Sequence, residues 1–280
     1  LIFVEPITTY HYEQFLSGSF FEQTFSKIRC IGAGSFGQVF KALSKDDGRW
    51  YAVKISVEPF RCSRDRRHKL KEVEIHELLP KHPNLVSFVR AWEEFNFLYI
   101  QTELCMCSLA SYQLKVKVIP EEKLWLFFAD IAMAIQFLHS HELIHLDIKP
   151  ANVMVSFDGI CKLGDFSLIL DIVKMTEGDA KYLAVEALQG NPGKFSDIFS
   201  FGMTMIDVCT DNVLPSSGDS WHEFRYGHFF SDIPPLMLEI ILRLIDANPL
   251  ARLTAEQICA IPTVASCIQK RQVYLIRFWS

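Results

Sequence analysis

The chain has 280 residues, of which half are apolar and 13% are aromatic, a composition that suits a packed core and excludes an intrinsically disordered chain. Its formal net charge of −5 gives no whole-chain attraction to nucleic acid or to an anionic membrane. Among the eight cysteines only Cys105 and Cys107 are close together in the sequence, and two ligands are too few for a zinc site. The wide spacing of the cysteines is typical of reduced thiols in an intracellular protein.

The first hundred residues predict an antiparallel sheet, because short β-branched and aromatic stretches alternate with turn residues. The strands are expected at 28–31, 37–43, 50–55, 85–92 and 97–102. The sequence Asp46-Asp47-Gly48 is typical of a tight hairpin connection. A charged stretch at 64–79, with Ser63 as its N-cap, predicts one helix packed on this sheet.

From residue 119 the pattern is helical. Pro120 and the two glutamates after it are typical of a helix start, and apolar residues recur at helical spacing up to Leu138. A short hairpin is predicted at 153–163, and further helices are predicted at 195–209, 236–245 and 254–260. The apolar composition of 195–209 predicts a helix that is buried on all sides. A cleft between the two halves is where we expect the chemistry.

A glycine-rich motif of the form G-x-G-x-x-G-x-V joins the first two predicted strands. Glycine lets the backbone approach phosphate oxygens and donate N–H groups to them. Dinucleotide-binding folds use a similar string but place a helix directly after it, whereas a strand follows here. A plain glycine turn is an equal alternative until the other motifs are considered. The predicted nucleotide-binding residues of this motif are Ile31, Gly32, Ala33, Gly34, Ser35, Phe36, Gly37 and Val39.

The next motif is Tyr51-Ala52-Val53-Lys54, which has the form of a V-A-I-K strand. A lysine among apolar neighbours needs a charged partner, and Glu72 on the predicted helix is the candidate. Glu74 would point to another face of that helix. The alternative is that Lys54 reaches solvent and Glu72 is a surface acid. His76, one turn after Glu72, is expected to pack rather than to bind a ligand.

The strongest signal is the segment from His145 to Asn152, which matches the H-x-D-x-x-x-x-N catalytic loop. In that loop Asp147 would take the proton of the acceptor hydroxyl, and Asn152 would bind a metal ion. Asp165 opens Asp-Phe-Ser where Asp-Phe-Gly is usual, and it would hold the magnesium that bridges the phosphates of ATP. Four motif matches in the expected order and at the expected spacing are not explained by coincidence.

The chain therefore resembles the eukaryotic protein kinases over residues 20–268. The resemblance implies an α+β, two-lobed fold with ATP in the cleft and with ATP and Mg²⁺ as cofactors. The small lobe (20–104) would hold a five-stranded antiparallel sheet plus one helix, and the large lobe (105–268) would be mainly helical, with flanking segments at 1–19 and 269–280. The implied nucleotide contacts outside the glycine-rich motif are Ala52, Lys54, the gatekeeper Thr102, and Glu103 and Cys105 of the hinge. The implied catalytic residues are Lys54, Glu72, Asp147 and Lys149, and the metal ligands are Asn152 and Asp165. A structural pair of Glu186 with Arg252 is also implied.

Within this class the chain resembles the Wee family, and best its membrane-associated inhibitory kinases. The segments that carry the likeness are 19–23, 90–94, 101–105, 145–152, 177–179, 214–215 and 221–223. The resemblance implies a dual-specificity kinase that phosphorylates adjacent Thr and Tyr residues of a cyclin-bound cyclin-dependent kinase and so restrains entry into mitosis. We also expect a monomer that binds no nucleic acid. We expect a cytoplasmic location, with attachment to endoplasmic reticulum or Golgi membranes only through a segment outside this sequence.

The sequence departs from the usual kinase pattern at Leu146, which replaces the arginine that pairs with a phosphorylated activation loop. We therefore expect that phosphorylation of this loop does not switch on the activity.

Two alternatives to an inhibitory kinase remain open. Ser167 and Val185 replace a glycine and a proline, which suggests a pseudokinase scaffold, although the motif lysine and both motif aspartates remain. A kinase of the type that acts on translation initiation factors is a second alternative, but Gly178-Asp179 speaks against it.

Overall fold

The computed structural model describes residues 18–34, 37–168, 179–210, 214–215 and 232–279. The predicted site residues Ser35 and Phe36, and the family segments at 177–178 and 221–223, lie outside the described residues. The chain divides into two compact units. Unit 1 comprises the residues up to 81 together with 86–105, and unit 2 comprises 82–85 and the residues from 106 onward.

Unit 1 is built on an antiparallel sheet of five strands in the order β1-β2-β3-β5-β4. The strands are β1 (Phe25–Gly34), β2 (Gly37–Ser44), β3 (Trp50–Ile55), β4 (Phe88–Glu94) and β5 (Phe97–Glu103). Among the described residues of this unit, the helices α1 (Phe20–Thr24) and α2 (Ser63–Leu78) accompany them. The predicted sheet and the predicted charged helix are therefore confirmed.

Three details of unit 1 differ from the sequence-based expectations. Helix α1 was not expected, because five residues are too few for a periodic pattern, and a capping box between Ser19 and Glu22 defines its start. The N-cap of α2 is Cys62 rather than Ser63, and it makes no side-chain capping bond. The predicted fourth strand began too early, since Leu85 pairs with a strand of unit 2 and not with this sheet.

The sheet of unit 1 packs on both faces, because successive side chains of a strand point to opposite sides. Leu98 and Ile100 of β5 pack with Leu70 and Val73 of α2. Tyr99, between them, belongs to the opposite face. The buried residues of that second face are Phe20, Phe21, Phe25, Ala42, Val53, Trp92 and Tyr99.

Unit 2 is mainly helical, as predicted. Its helices are α3 (Leu109–Lys115), α4 (Glu121–Ser140), α5 (Val185–Leu188), α6 (Lys194–Cys209), α7 (Pro235–Leu244), α8 (Ala255–Cys259) and α9 (Pro262–Trp279), with a 3-10 turn at Pro249–Ala251. A small sheet joins β6 (Cys107–Ser108), β7 (Val153–Val155) and β8 (Cys161–Leu163). The turn between β7 and β8 contains Gly159 at φ 74°, a left-handed conformation that favours glycine.

Helix α6 is buried along nearly its whole length, which confirms the prediction for 195–209. Gly202 allows the close approach of its neighbours, because a Cβ there would lie 2.5 Å from Cγ2 of Ile245. Within the described parts of the chain, no helix combines the length and the apolar character needed to cross a bilayer.

Candidate active site

Lys54 of β3 and Glu72 of α2 form an ion pair in unit 1. Lys54 lies in register with Ile100 of β5, so it lies on the face of the sheet that packs on α2. Its Nζ donates a 3.0 Å hydrogen bond to Oε1 of Glu72, and the two side chains are only 20% and 14% exposed. Glu74 is exposed. The pair that the sequence predicts is therefore present, and the carboxylate fixes the ammonium at the surface of the sheet.

Strand β2 of the glycine-rich motif lies beside this lysine, since Val39 is in register with Lys54. Local packing requires a glycine at position 37, because a Cβ there would lie 2.6 Å from the carbonyl oxygen of Ile55 and 3.2 Å from Cγ of Lys54. Among the described residues, a Cβ at Gly34 would meet no atom within 4 Å outside the adjacent chain. Packing within the described part of the chain thus explains Gly37 but not Gly34.

The other predicted nucleotide contacts of unit 1 lie on β1, β3 and β5 and, in the case of Cys105, just after β5. Ala52 and Thr102 are directly paired across β3 and β5 and are both half-buried. Ile31 is exposed over half of its surface although it is apolar, and Cys105 is buried. Glu103 accepts a 2.7 Å hydrogen bond from the backbone N–H of Ser87. Apolar side chains at such positions suit the flat face of a base.

In unit 2, two side chains of the segment from His145 to Asn152 bind the carboxylate of Asp147. Asp147 is 5% exposed, and its Oδ1 accepts a 2.8 Å bond from Nζ of Lys149. Its Oδ2 accepts a 2.6 Å bond from Nδ2 of Asn152, which also donates to the backbone carbonyl of Asp147. Nε2 of His145 donates to the carbonyl of Gly164, and Nδ1 accepts from the N–H of Asp147. Three of the predicted site residues are therefore in direct contact.

Asp197 of α6 anchors this segment, a role that the sequence analysis did not find. Its buried carboxylate accepts hydrogen bonds of 2.9 and 2.8 Å from the backbone N–H groups of His145 and Leu146. His139 of α4 contacts the same carboxylate at 2.9 Å. Leu146 has φ 64°, a left-handed conformation that costs a non-glycine residue energy. The buried acceptor compensates for that cost and fixes the backbone directly before Asp147.

The β7–β8 hairpin connects the segment from His145 to Asn152 with Asp165. β7 begins directly after Asn152, and the N–H of Gly164 donates a 3.0 Å bond back to the carbonyl of Asn152. Asp165 itself is half-buried and has φ 60°. The hairpin thus holds the two predicted metal ligands at its open end.

The oxygen donors at this end fit magnesium. Because Nδ2 of Asn152 points at Asp147, the amide leaves Oδ1 as an acceptor, and Asp165 supplies a carboxylate. Mg²⁺ prefers hard oxygen ligands and takes one or two of them from protein, the rest coming from phosphates and water. The described residues contain no cluster of three or more His, Cys, Asp or Glu that could enclose a metal.

Further contacts stabilise the segment that follows. Arg252 donates to both carboxylate oxygens of Glu186, at 2.5 and 3.2 Å, so the implied pair is present and mostly buried. Tyr182 donates a 2.6 Å hydrogen bond to Oδ2 of Asp207, and the N–H of Lys181 donates to Asp179.

The sequence is similar to a family model and to several known proteins. Residues 25–264 match the protein kinase domain model. The chain is 43% identical over 97% of its length to the membrane-associated tyrosine- and threonine-specific cdc2-inhibitory kinase wee-1.3 of Caenorhabditis elegans. It is 41% identical over 94% of its length to the membrane-associated tyrosine- and threonine-specific cdc2-inhibitory kinase of Drosophila melanogaster. A probable protein kinase of Dictyostelium discoideum is 32% identical over 87% of the chain.

These relatives differ in length from the chain. It spans 41% of the nematode protein and 51% of the fly protein, about half of each. It spans 74% of the Dictyostelium protein.

Proposed function

The chain belongs to the protein kinase domain family, and on that premise we propose that it transfers the γ-phosphoryl group of ATP to threonine and tyrosine of a cyclin-bound cyclin-dependent kinase, which it thereby inhibits. The observation that carries the proposal is the Asp147 carboxylate, buried and held by Lys149 on one oxygen and by Asn152 on the other. This is the arrangement that phosphoryl transfer to a hydroxyl needs from a protein: a fixed base beside a fixed cation.

Asp147 is the proposed base. A carboxylate within hydrogen-bond reach of an acceptor hydroxyl orients it and takes its proton as the new P–O bond forms. Lys149, 2.8 Å from Oδ1 of Asp147, places a positive charge beside the transferring group, where negative charge must be stabilised. Asp197 contributes through the backbone, because it holds the residues that precede Asp147.

We assign nucleotide contacts to residues of unit 1 and metal contacts to residues of unit 2. Lys54, oriented by Glu72, would bind phosphate oxygens, and among the described residues no atom outside the adjacent chain fills the space at Gly34. Asn152 and Asp165 would hold Mg²⁺. When bound, this ion neutralises charge on the phosphates of ATP. We assign Ala52, Thr102, Glu103 and Cys105, together with Ile31 and Val39, to the nucleotide's base and ribose.

The substrate class rests on the relatives. Two of them are named as tyrosine- and threonine-specific cdc2-inhibitory kinases, and the likeness covers nearly the whole of this chain. The described structure is compatible with an acceptor platform that differs from the usual threonine-containing one. Asp179, where many Ser/Thr kinases carry threonine, accepts a 3.1 Å bond from the backbone of Lys181. We propose a cytoplasmic, monomeric kinase; the same two relatives are named as membrane-associated.

The test is to incubate the chain with a catalytically inactive cyclin-bound cyclin-dependent kinase, ATP and Mg²⁺, and to map phosphosites by mass spectrometry. Phosphate on the adjacent Thr and Tyr of the target's glycine-rich loop would support the proposal. Phosphorylation at other positions only would contradict the substrate assignment. ATP binding that depends on Mg²⁺, with no phosphoryl transfer to the target or to a generic protein substrate, would instead indicate a scaffold.

A further inference from the structure

Helix α9 carries a buried arginine that forms an ion pair with helix α4. Arg271 is 8% exposed, and Asp130 is fully buried. The guanidinium binds the carboxylate with two parallel hydrogen bonds, Nε to Oδ1 at 3.0 Å and Nη2 to Oδ2 at 2.6 Å. Burial raises the pKa of Asp130 to about 6, against the opposing effect of Arg271. Arg271 lies beyond the residues that match the kinase family model, which end at 264.

The pair also binds the backbone of the β7–β8 hairpin. Nη2 of Arg271 donates a 2.9 Å bond to the carbonyl of Gly159, in the turn of the hairpin. Oδ2 of Asp130 accepts a 2.9 Å bond from the N–H of Cys161, the first residue of β8. The two partners of the ion pair therefore each hold one backbone group of the same turn, and three elements that are distant in sequence meet at one point.

Asn84 binds the same edge of β8 as Asp130, the edge that faces away from β7. Nδ2 of Asn84 donates a 3.0 Å bond to the carbonyl of Cys161, and the N–H of Leu163 donates a 2.8 Å bond to the carbonyl of Asn84. Strand β8 is only three residues long, so a short strand such as this depends on these outside bonds for its position.

The hairpin carries the predicted metal ligands at its other end. Asn152 directly precedes β7, and Asp165 follows β8 after one intervening residue. From Cys161 to Leu163 the strand advances by only about 7 Å. The predicted metal ligands are therefore separated from the turn by a short pair of hydrogen-bonded strands. A shift of the turn would be passed to both ligands through the three paired residues of each strand.

We infer that Arg271 is a positioning residue, which acts with Asp130 to hold the β7–β8 hairpin and through it the metal-binding side chains of Asn152 and Asp165. This inference rests on the proposed function, because it assigns those two side chains to Mg²⁺. It extends the kinase machinery of this chain beyond the family match, into helix α9. Outer contacts that orient metal ligands typically change metal affinity by about 10- to 100-fold when they are removed.

The test compares Arg271→Ala, Arg271→Lys and Asp130→Asn with the unmodified chain, each at a temperature where it is fully folded. Lys270→Ala is the matched control, since Lys270 is the neighbouring residue of α9, is 59% exposed and lies 3.7 Å from Oε1 of Glu122. Two quantities are measured: amide hydrogen exchange of residues 153–164 without nucleotide, and the ratio of ATP dissociation constants in EDTA and in excess Mg²⁺.

For Arg271→Ala we expect hairpin exchange to accelerate by about tenfold and the Mg²⁺-dependent ratio to fall by about tenfold. Arg271→Lys, which keeps the charge and one donor to Asp130, should show smaller changes, and Lys270→Ala should show none. If Arg271→Ala does not fold, Arg271→Lys and Asp130→Asn carry the comparison.

A lower Tm with unchanged hairpin exchange and an unchanged ratio would overturn the inference and leave Arg271 a purely structural residue. The proposed function fails separately. It fails if the unmodified chain itself shows no Mg²⁺-dependent ATP binding, and the exchange measurement would then still decide whether Arg271 holds the hairpin.

Discussion

The buried carboxylate of Asp197 accepts a 2.8 Å hydrogen bond from the backbone N–H of Leu146, the residue directly before Asp147. In many kinases an arginine at the Leu146 position pairs with a phosphorylated activation loop. Here the side chain of Leu146 is 5% exposed and apolar, so it has no charge to offer such a phosphate. The backbone before Asp147 is instead fixed by contacts that are present without any modification.

The first prediction concerns activation. Because the loop before Asp147 is held by Asp197 and not by a phosphate–arginine pair, we expect phosphatase-treated enzyme to keep its activity within about twofold. The measurement is the initial rate of phosphoryl transfer before and after treatment, with removal of phosphate verified by mass spectrometry. Loss of activity on treatment, restored by rephosphorylation, would show that the absent arginine is replaced by another phosphate-binding group.

The second prediction separates two glutamates of helix α2. Glu72→Gln removes the charge that holds Nζ of Lys54, so kcat/KM for ATP should fall by about tenfold or more. Glu74→Gln is the matched control, because Glu74 lies two residues away and is exposed. Its kinetic constants should stay within about twofold of the unmodified enzyme. Equal effects of the two substitutions would mean that the Lys54–Glu72 contact does not matter for nucleotide use.

The third prediction is a pH dependence of stability. His76 is buried, and its Nε2 lies 2.7 Å from the carbonyl of Val86. Burial lowers the pKa of His76 to about 4 from an ordinary value of 6.5, despite that hydrogen bond. As the pH falls from 6.5 towards 4, the unfolded chain takes up a proton that the folded chain does not, so the free energy of unfolding decreases, for this residue by at most about 3 kcal/mol.

Urea unfolding of the unmodified chain and of His76→Gln, at pH values from 7 to about 4.5, measures this effect. The amide of glutamine can donate to Val86 but does not titrate, so the variant should lose stability less steeply with falling pH. His82, whose pKa burial also lowers to about 4, contributes a background slope that remains in both proteins. Identical slopes for the unmodified chain and His76→Gln would contradict the assignment.

The fourth prediction concerns Ser167, which replaces the usual glycine. Its buried Oγ has no hydrogen-bond partner among the described residues. Ser167→Ala removes an unsatisfied hydroxyl, so we expect it to stabilise the fold by about 1 kcal/mol. Ser156→Ala is the matched control, because the Oγ of Ser156 accepts a 3.1 Å bond from the N–H of Ile160. That substitution should destabilise the fold by a similar amount, and thermal unfolding of both variants gives the comparison. A loss of stability in Ser167→Ala would show that the hydroxyl has a partner.

The sequence predicts those parts of the structure that have a local signal. The hairpin turn of β2 and β3 carries Asp-Asp-Gly, Lys54 belongs to a strand motif, and Glu72 lies on the charged helix that follows it. Several contacts that the sequence does not show join residues far apart in the chain. Asp197 lies more than fifty residues from Leu146, and nothing near either residue indicates their hydrogen bond. The same holds for Arg271 and Asp130, which are separated by 141 positions.

Short elements and helix ends also escaped prediction for physical reasons. Helix α1 contains five residues, fewer than two turns, so no periodicity can reveal it. Serine is a preferred N-cap residue, yet the helix begins at Ser63 itself and Cys62 is its N-cap. Asp65 accepts a hydrogen bond from the backbone of Arg61 nearby and satisfies a donor at that end.

A comparison of the unmodified chain with Asp147→Asn tests whether Asp147 is the base of a phosphoryl-transfer site. Transfer of phosphate from ATP to a protein substrate and the dissociation constant of ATP in excess Mg²⁺ are measured for both proteins. We expect transfer to fall by about a thousandfold or more while the dissociation constant stays within about threefold, because the proposed base would contact the acceptor hydroxyl and not the nucleotide. Comparable turnover in Asp147→Asn would exclude Asp147 as the base.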